Sequence, residues 1–321
     1  KERAKYNLEI DTYNPNPLAQ QTENFQLNSN ESITIDVKSF GTAGSNSAFV
    51  EISALPPMDL GRRIESLIGY PHGCVEQTTS KAFPQLYLED IADLSFTQKK
   101  EIKENITKAI NKLDDFQQPN GGLNYWPGGS VDDWCTTYVG HFMIEAQKKG
   151  YEIPIMFLNN WKAFQKEQAR RWNVNTYYRR SDYLQAYRLY TLALAGEPDL
   201  AAMNKLRQMD ITNVTTWRLA QTYAIIGQKD VALQLIDKAS LKDLSYENGY
   251  YTYGSVFRNQ AMLLESLINL NDPRADEVAR QIALKLSSDD WLSTQETAYG
   301  LISMSKLLVK NGGKDMSISY N

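Results

Sequence analysis

A mainly α-helical chain, folded as an α/α-toroid of about six helical hairpins flanked by short β-segments, is the fold class that the sequence predicts. Three observations lead there. Apolar residues recur at spacings of three and four from Asp59 to Lys310. Turns built from glycine and aromatic residues interrupt that pattern at intervals. The residues on either side of it alternate with a period of two instead.

The N-terminal part reads as β-structure. Residues 25–27, residues 32–37 with Ile33, Ile35 and Val37 alternating, and residues 48–53 form candidate strands separated by Asn, Ser and Gly turns. Tyr6, Leu8 and Ile10 also alternate, and Asn14-Pro15-Asn16-Pro17 breaks the chain. At the other end, Asn311-Gly312-Gly313 stops a helix and residues 316–320 alternate again. The expected domains are a β-rich segment at 1–57, a helical domain at 58–311 and a returning strand at 312–321.

Within the helical domain, Leu60, Ile64, Leu67 and Ile68 form one stripe, stopped by Gly69. A second helix starts near Val75, with Ala82, Leu86 and Leu88 as apolar positions; Pro84 either kinks it or limits its first segment. Ile102, Ile106, Ala109, Ile110 and Leu113 form the next stripe. Further helices are expected at 134–149, 155–171, 182–195, 199–209, 214–226, 230–238, 255–270, 275–286 and 291–309. Each stripe reads as core. Asp132-Asp133-Trp134-Cys135-Thr136-Thr137 and Asp289-Asp290-Trp291-Leu292-Ser293-Thr294 share a plan in which acidic or hydroxyl residues cap a helix and Trp enters its first turn. With the turn at Asn248-Gly249-Tyr250-Tyr251, this weak repeat suggests a closed ring of helix pairs.

Composition narrows the function. The chain has 321 residues, 42% of them hydrophobic, which suits one large core and a small companion. A net charge of −4 with no basic stripe gives no case for nucleic-acid binding. No apolar run has the length of a membrane span, and no signal peptide is present. Because the chain begins at Lys1 without an initiator methionine, a piece of a longer protein is expected. Its two cysteines do not make a disulfide framework. No zinc-ligand spacing, phosphate-binding loop or nucleotide fingerprint occurs, so neither metal nor cofactor is expected.

The chemistry concentrates in Tyr70-Pro71-His72-Gly73-Cys74-Val75-Glu76-Gln77. A thiol and a carboxamide stand three positions apart at the start of a helix. Attack of Cys74 Sγ on the Gln77 amide carbon, with loss of ammonia, would close an internal thioester. Amides are poor electrophiles toward thiols, but enforced contact can supply effective molarities of about 10⁵ to 10⁸ M. Gly73 relieves the backbone at the turn into the helix and Pro71 stiffens the approach. Free N–H groups at the helix start favour a thiolate and polarise a nearby carbonyl. The plainer reading of a lone cysteine is a small buried hydrophobe.

The motif resembles the thioester signature of the α2-macroglobulin and complement family, in the version carried by bacterial α2-macroglobulins. Ser53-Ala54-Leu55-Pro56-Pro57-Met58-Asp59-Leu60, the turn Gly121-Gly122-Leu123-Asn124-Tyr125-Trp126-Pro127-Gly128-Gly129, the helix start Trp134-Cys135-Thr136-Thr137-Tyr138-Val139, Tyr253-Gly254-Ser255 with Arg258-Asn259, and Trp291 to Glu296 are similar to family landmarks. Cys135 stands where that pattern usually has leucine. The resemblance implies a thioester domain with the α/α-toroid fold, inserted into a CUB-type β-sandwich that would here be incomplete. It implies a Cys74–Gln77 thioester, with Gly73 and Glu76 belonging to the motif outside the bond. Tyr70, with Tyr125 and Trp126, would shield the bond from water. The implied role is a single-use protease inhibitor, not an enzyme. Bait cleavage elsewhere in the parent chain would expose the bond, and lysine amines of the attacking protease would take the acyl group. The other implied partners are further domains of the same parent chain. A periplasmic or cell-envelope setting, as a lipoprotein of the parent chain, follows from bacterial relatives.

Some family members pass the acyl group through a histidine. The corresponding turn, near residues 172–181, has none, so direct aminolysis is expected and hydroxyl-rich sugars should be poor targets. The histidines are His72, inside the motif, and His141, read as a packing residue. Two rival readings remain. Asp132, Asp133, Asp289 and Asp290 could serve a toroidal carbohydrate-active enzyme as paired carboxylates, although helix capping explains them more simply. Cys74 with His72 or His141 could form a cysteine hydrolase, which leaves Gln77 without a purpose.

Overall fold

Ile102, Ile106, Ala109, Ile110 and Leu113 are all buried on one side of a 19-residue helix whose other residues are mostly exposed, as their spacing requires. The computed structural model describes residues 3, 5, 7–9, 19–23, 25, 27, 30–50, 58, 67–69, 71–173, 182–237, 239–241, 252, 254–288, 290–311 and 319. These fall in two compact units, Lys1–Ile52 and Ser53–Asn321.

The larger unit is helical. Its first described helices are α1 (Val75–Ala82), the short α2 (Leu88–Ile91) and α3 (Phe96–Asp114). Next come α4 (Asp133–Lys148), α5 (Ile155–Arg171), α6 (Asp182–Leu194), α7 (Leu200–Arg207) and α8 (Asn213–Ile225). The last are α9 (Lys229–Ile236), α10 (Val256–Leu270), α11 (Ala275–Ser287) and α12 (Thr294–Asn311). The expected spans agree with these to within a few residues. Pro84 limits the motif helix: α1 stops at Ala82, and Pro84 opens a 3-10 turn to Tyr87, where its missing N–H is harmless.

Helices α4, α6, α8, α10 and α12 are buried over most of their surface. Helix α1 packs on α4, α4 on α6, α6 on α8, α8 on α10 and α10 on α12; α12 then returns to α1. Helices α3, α5, α7, α9 and α11 each lie against an inner helix. The inner helices begin at one end of this circuit. Trp134 of α4 stacks on Tyr183 of α6 with ring centroids 6.2 Å apart, and Asp182 of α6 accepts from Thr212 N–H, at the start of α8, at 3.0 Å. At the same end the Arg258 guanidinium of α10 lies 4.5 Å from the Trp134 ring centroid. Ser255, the N-cap of α10, donates to Glu296 of α12 at 2.6 Å, and Thr294 of α12 donates to Glu76 of α1 at 3.0 Å.

Charged groups occupy the interior of the circuit as a balanced set. Arg218 and Lys306 both pair with Glu265, at 2.7 and 2.5 Å, and Lys306 reaches Glu145 at 3.7 Å. Tyr190 donates to Glu265 at 2.8 Å and Tyr87 donates to Glu145. Burial alone would raise the Glu145 carboxyl, but Lys306 dominates with its neighbours and holds it down at about 2.

Several expectations change. Residues 30–50 form no strand: Ile33, Ile35 and Val37 are exposed, and the regular feature is a turn in which Ser45 N–H and Oγ–H donate to Thr42 O. Alternation assigns faces, but a strand also needs a partner edge for its backbone groups. The second Asp-Asp-Trp segment does not repeat the first. Asp132 caps α4 through a 2.7 Å bond from Cys135 N–H, and Trp134 is buried inside the helix. Helix α12 instead begins at Thr294, behind a reciprocal cap between Ser293 and Glu296. Trp291 precedes it and is 84% exposed, and Asp290 pairs with Lys285. The readings placed on residues 6, 10, 14–17, 26, 51–57, 59, 60, 64, 248–251, 253, 289, 312, 313, 316–318 and 320 lie outside the described residues.

Candidate thioester site

Cys74 is the N-cap residue of α1, with extended backbone at φ −70 and ψ 176. Its Sγ accepts from Gln77 N–H at 3.5 Å, and Gln77 Oε1 accepts from Cys74 N–H at 3.3 Å. This is a capping box with a thiol in place of the usual hydroxyl. The reciprocal bonds fold the carboxamide back over the first turn toward the sulfur. Gly73 makes room for it: its φ is +99, and a Cβ there would overlap Gln77 Oε1 and lie 3.0 Å from Gln77 Cδ. Cys74 is buried, whereas Gln77 as a residue is exposed.

The motif is tied to the domain at three points. Lys112, in the last turn of α3, donates to Pro71 O and Gly73 O, each at 3.1 Å. Val75 N–H donates to Tyr125 O at 3.3 Å. The turn that presents Tyr125 is closed by bridges Gln117–Leu123 and Asn124–Val131 and needs Gly121 at φ +89, where a Cβ would overlap Asn160 O. Buried Glu76 accepts from Ser80 Oγ at 2.7 Å and from Thr294 Oγ1.

Residues 51–175 match the family model described as A-macroglobulin TED domain. Over 273 residues the chain is 26% identical to the α2-macroglobulin of Escherichia coli (strain K12), covering 77% of this chain and 16% of that protein. Over 300 residues it is 25% identical to the α2-macroglobulin of Xylella fastidiosa (strain Temecula1), covering 85% and 18%. The chain is thus similar to a TED domain over residues 51–175, and to bacterial α2-macroglobulins over most of its length. The native E. coli α2-macroglobulin structure from domain MG7 to the C-terminus superposes with a TM-score of 0.68 at 23% identity, over 79% of this chain and 43% of that one. The Salmonella α2-macroglobulin reacted with methylamine gives 0.68 at 25% identity, over 79% and 18%. The chain therefore matches less than one-fifth of the length of the E. coli and Xylella proteins.

Of the residues singled out from the sequence, the fold brings Gly73, Cys74, Glu76, Gln77 and Tyr125 to the start of α1. Trp126 is half-exposed and packs edge-on against Tyr125, with centroids 6.0 Å apart. Tyr70 lies outside the described residues, as do residues 174–181 of the histidine turn. His141 is a packing residue. It is fully buried, its Nδ1 is 2.9 Å from Tyr187 OH, and burial lowers it to about 3. Cys135 is likewise inert, its thiol pushed well up by burial. The proposed acids are engaged separately: Asp132 caps α4, Asp133 pairs with Arg188 at 3.1 Å and Asp290 with Lys285. Lys112 and the Glu76–Thr294 bond escaped sequence reasoning. Their partners lie 39 to 41 and 218 positions away, so no local spacing marks them.

Proposed function

We propose that this chain is the thioester domain of a bacterial α2-macroglobulin-like protein, that it stores a Cys74–Gln77 thioester, and that it belongs to a protease trap that acylates lysine amines of the attacking protease after bait cleavage elsewhere in its parent chain. The observation that carries this reading is the reciprocal Cys74–Gln77 cap over a left-handed Gly73. Ring closure forms the Sγ–Cδ bond and breaks the Cδ–Nε2 bond, and the thiol proton leaves with ammonia. Capture forms an isopeptide bond at Cδ and returns the thiol to Cys74. Each domain reacts once, which is inhibition by covalent capture instead of turnover. The inner circuit and its outer helices support an α/α-toroid, and the flanking segments belong to a CUB-like β-structure shared with the rest of the parent chain. Tyr70, Tyr125 and Trp126 shield the acyl carbon from water. The parent protein works in the periplasm or cell envelope. That the Salmonella relative reacts with methylamine supports the same chemistry here.

Intact mass tests the proposal. The chain should weigh one ammonia less than its encoded sequence, and methylamine should add its own mass while releasing one titratable thiol. Cys74→Ala should lose both properties and keep its helical circular dichroism. Full encoded mass in every fresh preparation would refute the stored bond.

A further inference from the structure

We infer that Lys112 activates the acyl carbonyl of Gln77 through the Gly73–Cys74 peptide unit. The inference rests on the thioester reading above and assigns the residue that tunes the bond. The Lys112 ammonium donates to Gly73 O at 3.1 Å. That carbonyl shares its peptide group with Cys74 N–H, which donates to Gln77 Oε1 at 3.3 Å. The chain of contacts is therefore ammonium, peptide carbonyl, peptide N–H, acyl oxygen. A cation on the carbonyl end of a peptide unit draws electron density from its nitrogen and strengthens the N–H as a donor.

The oxygen at the end of this chain carries charge in both steps of the chemistry. When Cys74 Sγ adds to Cδ, the carbonyl oxygen becomes an oxyanion before ammonia leaves. When an amine adds to the thioester, the same oxygen is charged again before the Cδ–Sγ bond breaks and the thiol regains a proton. A backbone N–H aimed at that oxygen acts as an oxyanion donor, most effective when held in place beforehand. Lys112 holds it from behind. Its second bond, to Pro71 O at 3.1 Å, fixes the ammonium across the loop, so both carbonyls are gathered on one cation. Lys112 touches no reacting atom and is a positioning residue.

The test compares the 321-residue chain with its Lys112→Met and Lys112→Arg variants. Methionine keeps the stem and removes the cation, whereas arginine keeps the charge and both donors. The readouts are the fraction lacking ammonia by intact mass and the rate of thiol release from cyclised material by methylamine. Thermal unfolding monitors the fold. Lys112→Met should lower the cyclised fraction and slow aminolysis by about two- to fourfold, and Lys112→Arg should restore most of both. A purely structural role would shift the melting curve alike in both steps and leave the aminolysis rate of already cyclised protein unchanged. Wild-type protein that cyclises beside a Lys112→Met variant with the same extent and rate overturns this inference alone, as does an arginine variant no better than methionine. Wild-type protein that never loses ammonia overturns the thioester reading and this inference with it.

Discussion

Gly73→Ala should leave the helical circuit folded and abolish thioester formation. With φ at +99, Gly73 occupies backbone space that an L side chain rarely adopts, so holding alanine there costs about 1–3 kcal/mol. The new methyl group would overlap Gln77 Oε1 and lie 3.0 Å from Cδ and 3.2 Å from Cβ. Gln77 is exposed and can swing away, which breaks the reciprocal cap at a further cost of about 0.5–2 kcal/mol. The sum is a loss of about 1.5–5 kcal/mol, and a domain of this size should tolerate the lower half of that range. Cyclisation is far less tolerant. Misplacing a reacting atom by about 1 Å can cost on the order of 10²-fold, and a change of Gln77 rotamer moves Cδ farther than that. Intact mass, thiol titration with methylamine and circular dichroism on the same sample separate the two effects. A Gly73→Ala protein that loses ammonia as completely as wild type would refute the link between this glycine and the reactive geometry.

Glu76→Ala removes the acceptor of Ser80 and Thr294 and should cost about 1–3 kcal/mol; an unchanged urea midpoint would show that the α1–α12 tie carries no stability. Lys306→Met leaves Glu145 and Glu265 without their shared cation and should cost about 3–5 kcal/mol by thermal denaturation. Acid should act in two stages. Burial holds His141 at about 3 against its ordinary 6.5, in spite of Glu265 and Glu145 and with Lys306 and Arg218 opposing its charge. The unfolded chain therefore binds this proton first, and stability contributed by neutral His141 is full above about 6.5 and lost as pH falls toward 3. Glu145, held at about 2 against 4.5, adds its loss between those values. Urea midpoints at pH 7 and pH 4.5 should therefore fall more for wild type than for His141→Phe, and equal falls would contradict the assignment.

The helices were legible because each inner or outer face is written in local spacing: residues 155–171 were delimited from sequence and form α5 with the same bounds. The meeting of Cys74 and Gln77 at the start of α1 was legible for the same reason, since the pair spans one turn. The start of α12 was misread although its signal was present. Ser293 and Glu296 have the spacing of a capping box, and that reciprocal pair fixes the helix start downstream of the Asp-Asp-Trp segment. The candidate strand at 32–37 is absent for a different reason, because side-chain alternation says nothing about the edge it would pair with. Glu76 with Thr294 and Lys112 with Gly73 depend on closing the circuit, and no window of local sequence contains both members.

A common starting end for the inner helices has an electrostatic result that composition conceals. Each helix carries about half a positive charge at its N-terminus, and α1, α4, α6, α8, α10 and α12 add theirs on the side that holds Cys74. The carboxylates of Glu76, Asp132, Asp133, Asp182 and Glu296 stand at the same end and are stabilised by those partial charges. At the opposite pole, Lys148 lies in the last turn of α4, and Lys310, in the last turn of α12, donates to Ile268 O near the end of α10. A sulfur leaving Gln77 as an anion meets the free N–H groups at the start of α1.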